Sequence, residues 1–348
     1  MSKNKNFDSK TFLKEEVFFH TKIFILVGHS CEFKNIGDFK TIEFFDKSIV
    51  IYKFKDKISA FTNICSHRGS KIFNKSSGNS TFVCPYHSWA YDSSGTPKFI
   101  PYEKEAFNFK KKQKNKLKLE EWILEKCGEF IFLRSKKNNR TLKNYLGKNF
   151  SMLSKISNKI EIKIDYQNYI WNSNWKVCLE NSIDEYHAIF LHRSTFRDNL
   201  KLSPTYRISN NVMHMEMPLS NNYIKKFEKI KVYFNKLKDL YEHTLFFPCS
   251  SISTTMENSF YIQNYLPKTE DLTQVTSTVY LPKISKNMNQ KSKDFYSESC
   301  KRFNKTVFLE DKLICEGIYQ NIKNQKFNDY IGKYEYRIKS FREKIKKI

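Results

Sequence analysis

Hydrophobic and polar positions alternate over short distances in the first part of the chain. Between residues 22 and 134, runs rich in β-branched and aromatic residues are separated by turn residues, which is typical of a small antiparallel β-domain. We predict strands in the runs KIFILVGH, KTIEFF, SIVIYKF, ISAFTNI, TFVCPY, WAYDSSGTPKF and GEFIFLR. The lysine-rich run KKKQKNKLKLE in the same region indicates a solvated excursion or a strand edge rather than a functional tail.

The second half of the chain mixes helical and strand patterns. A polar stretch, SKKNNRTLKNYLGKN, marks a predicted domain boundary near residue 145. Beyond it we predict a helix from about Trp175 to Leu191, strands in FYIQNYLPK and QVTSTVYLPK, and a C-terminal helix that begins near Phe295. Helices and strands are segregated along the sequence, and we therefore predict an α+β fold.

The composition is that of a globular protein with a large positive charge. The chain has 348 residues, of which 40% are hydrophobic and 16% aromatic, enough for one large domain or two ordinary ones. Its formal net charge of +25 would attract polyanions. Because the excess is mostly lysine and is spread along the chain, we expect no nucleic-acid partner. A basic surface would instead suit an acidic redox partner or an anionic substrate.

The N-terminus and the cysteines bear on where the protein resides. The first residues carry charges throughout and contain no apolar signal-peptide core, and the run IFILVG is too short to cross a bilayer. We therefore expect no secretory signal and no membrane association. The eight cysteines are scattered and do not form the pattern of a disulfide framework, so we expect a reducing, cytoplasmic location.

Two Cys–His pairs point to an inorganic centre. Cys65 and His67 form Cys-x-His, and after sixteen residues Cys84 and His87 form Cys-x-x-His. Two thiolates and two imidazoles can bind tetrahedral zinc, or a 2Fe–2S cluster in which the cysteines hold one iron and the histidines the other. Zinc modules more often pair Cys with Cys or space two His more widely. The order of the ligands, in which each loop gives one to each iron, therefore favours the cluster.

A second candidate metal site lies on the helix predicted from about Trp175. A helical wheel groups its apolar positions into one stripe: Leu179, Ile183, Tyr186 and Phe190. Glu180, Asp184 and His187 form a polar stripe beside it, which by itself fits a solvated face equally well. His192 follows five residues after His187, and both imidazoles reach one metal only if the helix ends or carries a π-bulge between them.

An acidic residue on the C-terminal helix is the predicted third ligand. The apolar positions of VFLEDKLICEGIYQNIKN share one face: Val307, Ile314, Cys315, Ile318 and Ile322. Asp311 lies in the middle of that face, where a carboxylate is costly unless it is paired or binds a metal. We predict that Asp311 completes a 2-His-1-carboxylate triad, with Glu310 as the fallback. The competing interpretation is an Asp that stabilises a helix dipole near the helix start.

Both constellations resemble those of one family. The runs CSHRG and CPYHSWAYDSSG resemble the Rieske signature. An acidic-x-x-His-x4-His pattern after Asn-Trp-Lys resembles the mononuclear-iron motif of Rieske non-heme iron oxygenases, the family of aromatic-ring-hydroxylating dioxygenase alpha subunits. The C-terminal Glu310, Asp311 and Gln320 agree with the same family. Ser88 departs from it, because the oxygenase branch usually has Gly there. We hypothesise that the Ser88 hydroxyl raises the potential of the cluster.

The resemblance implies two domains and two metal centres. Residues 1–145 would comprise an N-terminal segment and a small antiparallel Rieske domain, and residues 146–348 a larger α+β catalytic domain with a central antiparallel sheet and flanking helices. The implied site residues are Cys65, His67, Cys84 and His87 for one Rieske 2Fe–2S cluster, His187, His192 and Asp311 for one mononuclear Fe(II), and Asp184 as a bridge to a cluster histidine of a neighbouring protomer.

The implied activity is that of a mono- or dioxygenase. A partner reductase, with or without a ferredoxin, would pass electrons from NAD(P)H to activate O2 and hydroxylate a small organic substrate, which we expect to be aromatic. Demethylation of a quaternary amine of the choline, betaine or carnitine type, or of an aryl ether, is the alternative. The family forms homotrimers, with or without a beta subunit. A zinc-stabilised basic binding module is the distant alternative, and a pure electron-transfer Rieske protein would leave the triad unexplained.

Overall fold

Two antiparallel sheets organise the computed structural model. It describes residues 5–209, 211–234, 237–324 and 329–348. Each of the two sheets has seven strands, and one follows the other along the chain, with helices attached mainly to the second. The predicted α+β class, a small antiparallel β-domain followed by a larger domain with a central antiparallel sheet, is confirmed.

The first sheet contains five strands that the sequence predicted and two that it did not, Ser77–Asn79 and Glu121–Cys127. Its strands are β1 (Ile25–His29), β2 (Asp38–Phe44), β3 (Lys47–Lys53), β4 (Ile58–Thr62), β5 (Ser77–Asn79), β8 (Glu121–Cys127) and β9 (Phe130–Arg134), and β6 (Ala90–Tyr91) pairs with β7 (Pro97–Phe99) in a separate hairpin. The strand order is β1-β9-β8-β4-β3-β2-β5. The strand β3 is buried on both faces at its centre, which explains its uninterrupted apolar run.

One predicted strand of this region is wrong. Residues 81–86, the run TFVCPY, form a loop with only an isolated bridge between Val83 and Ala90. The backbone N–H of Cys84 donates to the carbonyl of Trp89, so the loop closes on itself instead of pairing with a strand. The lysine-rich run is a short exposed helix, α2 (Lys111–Lys116), which agrees with the predicted solvated excursion.

The second sheet occupies the other half of the chain. Its strands are β10 (Ile160–Trp171), β11 (Thr205–Ile208), β12 (Val212–Pro218), β13 (Leu240–Phe246), β14 (Ser250–Thr255), β15 (Ser259–Pro267) and β16 (Thr273–Pro282). They are ordered β10-β16-β15-β14-β13-β12-β11, and every pair is antiparallel. The two strands predicted from FYIQNYLPK and QVTSTVYLPK are β15 and β16, which lie side by side near the middle of this sheet.

The helices that matter for the site come from the second half. Besides α2, the described helices are α1 (Ser9–Lys22), α3 (Leu142–Leu146), α4 (Phe150–Ser157), α5 (Trp175–Ser182), α6 (Glu185–Leu191), α7 (Asn221–Lys231), α8 (Gln290–Ile322) and α9 (Tyr336–Ile345). Among the described residues, none of these helices combines the length and the apolar composition needed to span a bilayer.

The single helix predicted from Trp175 to Leu191 is two helices. The chain breaks at Ile183, and Asp184 caps α6, because its Oδ1 accepts hydrogen bonds from the backbone N–H groups of Tyr186 and His187. The break rotates α6 relative to α5. The predicted apolar stripe therefore fails at its end, since Tyr186 is 49% and Phe190 55% exposed.

The C-terminal helix α8 buries a face close to the predicted one. It begins at Gln290, before the predicted start near Phe295, because the side chain of Asn289 caps it. The buried positions are Cys300, Asn304, Phe308, Asp311, Cys315 and Tyr319. The predicted burial of Asp311 is confirmed, whereas Ile314 and Ile318, predicted on the same face, are exposed.

The N-terminal helix α1 joins the two halves of the protein. The indole N–H of Trp175, at the start of α5, donates to Glu15 Oε2 over 2.8 Å, and Lys176 forms a buried ion pair with the same carboxylate. The ring of Phe19 packs edge-on against Trp175 at 5.3 Å between centroids. One hydrophobic core therefore continues from the first sheet into the second half. The domain boundary near residue 145 remains a prediction.

Replacing Gly95 by Ala is expected to destabilise the fold by about 3 kcal/mol. Gly95 turns the hairpin between β6 and β7 at a φ of +79°, and an added Cβ would lie 2.6 Å from Cε1 of Phe61. Left-handed backbone and overpacking each cost about 1–3 kcal/mol in a non-glycine residue. The matched control is Gly317→Ala, at an exposed position within α8 with open space around it, which is expected to stabilise by about 1 kcal/mol. Urea denaturation followed by circular dichroism measures the free energy of unfolding of both variants. Equal changes in the two variants would contradict the expected clash at Gly95.

Candidate metal centres

Two loops with the same backbone geometry carry the Cys–His pairs. One follows β4 and the other precedes β6. In each loop the N–H four residues after the cysteine donates to the cysteine carbonyl, from Gly69 to Cys65 and from Ser88 to Cys84, both over 3.0 Å. Both donors adopt a left-handed backbone, with φ of +75° at Gly69 and +57° at Ser88. This geometry favours glycine, which explains physically why a serine at this position is unusual.

The predicted cluster ligands lie together. Both cysteines are buried in one aromatic-rich core cluster. Burial raises the pKa of the Cys65 thiol, and the neighbouring Cys84 raises it further. The rings of His67 and His87 lie 4.5 Å apart between centroids. The buried Nδ1 of His67 has no hydrogen-bond partner among the described residues. Two thiols and two imidazoles with an unsatisfied nitrogen fit a 2Fe–2S cluster bound by two Cys and two His.

Tyr91 contacts the cysteine side of this centre. Its hydroxyl lies 3.1 Å from Cys65 Sγ and 3.1 Å from the hydroxyl of Ser66. Burial and the adjacent Cys65 raise the pKa of Tyr91, so its hydroxyl keeps the proton that it donates. The side chain of Ser88, by contrast, is exposed and makes no hydrogen bond with any residue in the described ranges. Tyr91 belongs to the Rieske signature, but its position in the sequence gave no sign of this contact.

The three predicted iron ligands converge on one point. His187 Nε2 and His192 Nε2 are 3.1 Å apart, and Asp311 Oδ1 lies 3.5 Å from the first and 3.2 Å from the second. Metal–ligand bonds of about 2.1 Å at right angles place donor atoms about 3.0 Å apart, so the three atoms fit one face of an octahedral metal. The helix α6 ends at Leu191, and this ending, rather than a π-bulge, lets His192 turn back toward His187.

Neighbouring side chains orient the three groups. Glu310 Oε2 lies 2.7 Å from Nδ1 of His192, on the side of the ring away from Nε2. Glu310, the predicted fallback ligand, therefore contacts a predicted ligand instead of the predicted metal position. The amide of Asn181 donates to Asp311 Oδ1 at 2.8 Å. Although burial opposes protonation, the carboxylates of Asp184 and Asp311 raise the pKa of His187 to about 10. The two imidazoles hold the pKa of Asp311 well below its usual range despite burial.

Asp184 sits beside the triad without joining it. Its Oδ2 lies 3.6 Å from His187 Nδ1, which is an ion-pair distance but not a hydrogen bond. Its Oδ1 is used by the cap of α6. The side chain is 19% exposed, so part of it remains accessible to solvent. This placement agrees with the interpretation of Asp184 as a neighbour of the metal site and not a ligand.

A cavity adjoins the triad. Its volume is about 60 Å³, and it is lined mostly by side chains of α6, α8 and the central strands of the second sheet. Its aromatic lining residues are Phe196, Tyr241, Tyr261, Tyr265 and Phe303. Polar side chains complete the lining, and one of them is Asn304 of α8. Its Oδ1 accepts a hydrogen bond from Ser277 at 2.8 Å, and its buried Nδ2 has no partner among the residues that the structure describes.

A buried ion pair connects α6 to α9 next to the site. Arg337 of α9 pairs with Glu185 of α6, and both side chains are almost fully buried. The same guanidinium donates to His243 Nδ1 at 2.8 Å, while burial and Arg337 lower the pKa of His243 well below its ordinary value. Helix α9 is thereby tied to α6, the helix that carries His187. These residues are far apart in sequence, and the sequence analysis did not find them.

A second group of potential ligands does not make a metal site. His214, Glu216 and Glu242 lie together on β12 and β13. Each carboxylate already pairs with a cation, Glu216 with Arg207 at 2.6 Å and Glu242 with Lys238 at 3.1 Å. These pairs neutralise the charge that would attract a metal ion.

Comparison with known proteins agrees with this geometry. Residues 23–114 match the model of the Rieske [2Fe-2S] domain, and residues 157–348 match the ring hydroxylating alpha subunit catalytic domain. The chain is 27% identical over 208 residues to the 2-aminobenzenesulfonate 2,3-dioxygenase subunit alpha of an Alcaligenes species, covering 58% of this chain and 51% of that protein. It is 25% identical over 246 residues to the carnitine monooxygenase oxygenase subunit of Escherichia coli K12, covering 70% and 63%.

The fold has a close match among solved structures. A quaternary ammonium Rieske monooxygenase, described for carnitine oxidation and inter-subunit electron transfer, superposes with a TM-score of 0.78 at 20% identity, covering 97% of this chain and 92% of that one. This likeness shows that the two proteins share a fold. The alignments with the two sequence relatives, however, span only 51% and 63% of those proteins.

Replacing Tyr91 by Phe is expected to lower the reduction potential of the cluster by about 20–60 mV. A hydrogen bond to a cysteine sulfur stabilises the more negative, reduced state, and such a bond is worth about 0.5–1.5 kcal/mol, where 59 mV corresponds to a factor of ten for one electron. Redox titration followed by EPR measures the shift. Ser88→Gly is the control and is expected to leave the potential unchanged. A shift in Ser88→Gly with none in Tyr91→Phe would restore the hypothesis that Ser88 tunes the cluster.

Proposed function

The chain belongs to the ring-hydroxylating Rieske oxygenase family, and on this premise we propose that it is an oxygenase component that hydroxylates an aromatic compound carrying a hydrogen-bond acceptor. The observation that carries the proposal is the convergence of His187, His192 and Asp311 beside an aromatic-lined cavity. When bound, a 2Fe–2S cluster supplies single electrons and a facial-triad Fe(II) supplies oxygen activation.

The protein's own residues hold the site in position. Glu310 fixes the ring of His192 through Nδ1, so that Nε2 points toward His187 and Asp311. Asn181 holds the Asp311 carboxylate from the other side. Asp311 is buried, and a divalent cation placed beside it would compensate its negative charge. These contacts support pre-organisation of three ligand atoms on one side of a metal, with the other side facing the cavity.

The cavity supports an aromatic substrate with one polar substituent. Phe and Tyr rings on several walls offer faces and edges to a flat apolar ring. A substrate acceptor such as a carboxylate, sulfonate or carbonyl would satisfy the unpaired Nδ2 of Asn304. The Alcaligenes relative, whose name gives an aromatic sulfonate as substrate, is consistent with this class.

Binding a ring requires the cavity to enlarge. A cavity of about 150 Å³ holds benzene, and the present one has about 60 Å³. Tyr261 and Phe303 also line a larger, mostly apolar cavity of about 700 Å³ under α7 and the start of α8. Rotation of these two side chains would merge the two spaces, and we propose them as the movable wall.

A second candidate function is demethylation of a quaternary amine. The five aromatic rings of the cavity could surround a trimethylammonium group, which binds to ring faces by cation–π attraction. The relative from Escherichia coli is named as a carnitine monooxygenase subunit, which is consistent with a quaternary ammonium substrate. The two candidates differ in the charge of the group that the cavity must recognise.

The proposal extends to partners and assembly. We propose a cytoplasmic homotrimer, with or without a beta subunit, that receives electrons from an NAD(P)H-dependent reductase, directly or through a ferredoxin. His87 is exposed at the surface, and the side chain of Asp184 is partly exposed. Both features support a contact in which Asp184 of one protomer meets a cluster histidine of the next.

Substrate class is tested by oxygen uptake with a surrogate reductase and analysis of products. Benzoate is expected to be oxidised with a kcat/KM at least tenfold higher than that of benzene, because a hydrogen bond to a charged group is worth about 1.5–3 kcal/mol. The Asn304→Leu variant is expected to lose this preference, with little change in kcat/KM for benzene. Release of formaldehyde from carnitine, with no ring oxidation, would favour the second candidate. An unchanged benzoate preference in Asn304→Leu would contradict the role of the amide.

Asp184→Asn is expected to retain both metals but lose coupled substrate oxidation. Asparagine caps helices as well as aspartate, so α6 should persist, while the negative charge that supports the contact between protomers is removed. Iron content, circular dichroism and product formed per oxygen consumed are measured together. Normal substrate oxidation by this variant would refute the bridging role.

A further inference from the structure

The part of the chain next to the predicted cluster carries a dense positive charge. Residues 110–118, here named the basic segment, include α2 and contain six lysines among nine residues, with no acidic residue. Lys114 pairs with Glu103 at 2.8 Å. The other five lysines are exposed and form no ion pair with any residue in the described part of the chain. Like charges this close repel one another, so an acidic surface laid against the segment would stabilise it.

The basic segment is held beside the cluster ligands at both ends. Phe109, directly before it, stacks on Phe107 with 5.1 Å between centroids, and both rings pack against Trp89. Trp89 in turn stacks on the ring of His67 at 4.6 Å, and Phe107 meets that ring edge-on at 5.5 Å. At the other end Leu119 is buried in the core cluster that contains both cysteine ligands.

Exposed aromatic residues lie between the second Cys–His loop and the basic segment along the chain. Tyr102 is 80% exposed and Phe107 is partly exposed, on a π-helical turn (Glu103–Phe107) flanked by left-handed residues at Tyr102 and Asn108. Such turns recur at functional sites. Exposed aromatic side chains close to exposed lysines in the sequence are a composition that favours binding of another protein.

We propose that the basic segment is the docking surface for the electron-donating partner, a small redox protein with an acidic face around its cofactor. This inference rests on the proposed function, because it assumes that the four ligands hold a cluster. One electron leaves the reduced donor and is gained at the oxidised cluster, and no atom is transferred. The lysines steer the donor and raise its association rate, and the exposed rings provide the short-range contact.

The test uses a triple variant, Lys110→Gln with Lys111→Gln and Lys112→Gln. The matched control replaces three exposed lysines of the α3–α4 region, Lys143, Lys148 and Lys155, by Gln, which removes the same charge elsewhere. The probe is an acidic [2Fe–2S] ferredoxin kept reduced by NADPH and its reductase, and bleaching of the oxygenase cluster is followed by stopped flow. At low salt the second-order rate constant for reduction of the oxygenase cluster by the ferredoxin is expected to fall about tenfold in the triple variant and to change little in the control. The difference should shrink as salt screens the charges.

Separate outcomes decide the docking proposal and the proposed function. Dithionite, a small reductant that needs no docking surface, is expected to reduce wild type and both variants equally. If dithionite finds no reducible cluster in wild type, the proposed function fails and this proposal with it. If dithionite reduces wild type but the ferredoxin does not, or reduces wild type and triple variant equally, the docking proposal alone is overturned. Loss of the oligomer in the triple variant but not in the control would overturn it as well, because the segment would then be a contact between subunits.

Discussion

The buried carboxylate of Asp311 is the constraint on which the catalytic half depends. It lies on the inner face of α8, where an unpaired charge would be strongly unfavourable. The imidazoles of His187 and His192 compensate it in this structure, and a divalent metal would do so in the active protein. Bringing both rings there requires α6 to begin at the Asp184 cap and to end before His192. The break in the helix therefore follows from the same requirement as the burial of the acid.

The Rieske half is subject to a different constraint: two thiols are buried while two imidazoles lie near the surface. The two loops do so with one repeated turn, closed by a left-handed residue at Gly69 and at Ser88. The aromatic core holds the cysteines, and Trp89 packs between the ring of His67 and the rings of Phe107 and Phe109, which precede the basic segment. Charge is thus kept outside the core, where it can act on a partner without destabilising the cysteine side of the centre.

Local spacing predicted the residues with chemistry better than it predicted their surroundings. Cys65 and His187 belong to short motifs that can be read without a structure, and Asp311 was found because a charge stood on an apolar face. The orientation of Tyr186 and the strand predicted through residues 81–86 were wrong, because a side-chain cap and a cluster loop overrode local propensity. Contacts such as Arg337 with Glu185 join distant parts of the chain, and no local pattern marks them.

The central claim is that one chain holds both a 2Fe–2S cluster and a mononuclear iron. The most direct test is the content of iron and acid-labile sulfide per chain after anaerobic purification, with an EPR spectrum after reduction by dithionite. The account predicts about three irons and two sulfides with a Rieske-type signal. Zinc without sulfide would contradict it outright, and about two irons that cannot be raised to three by adding Fe(II) would contradict the facial triad.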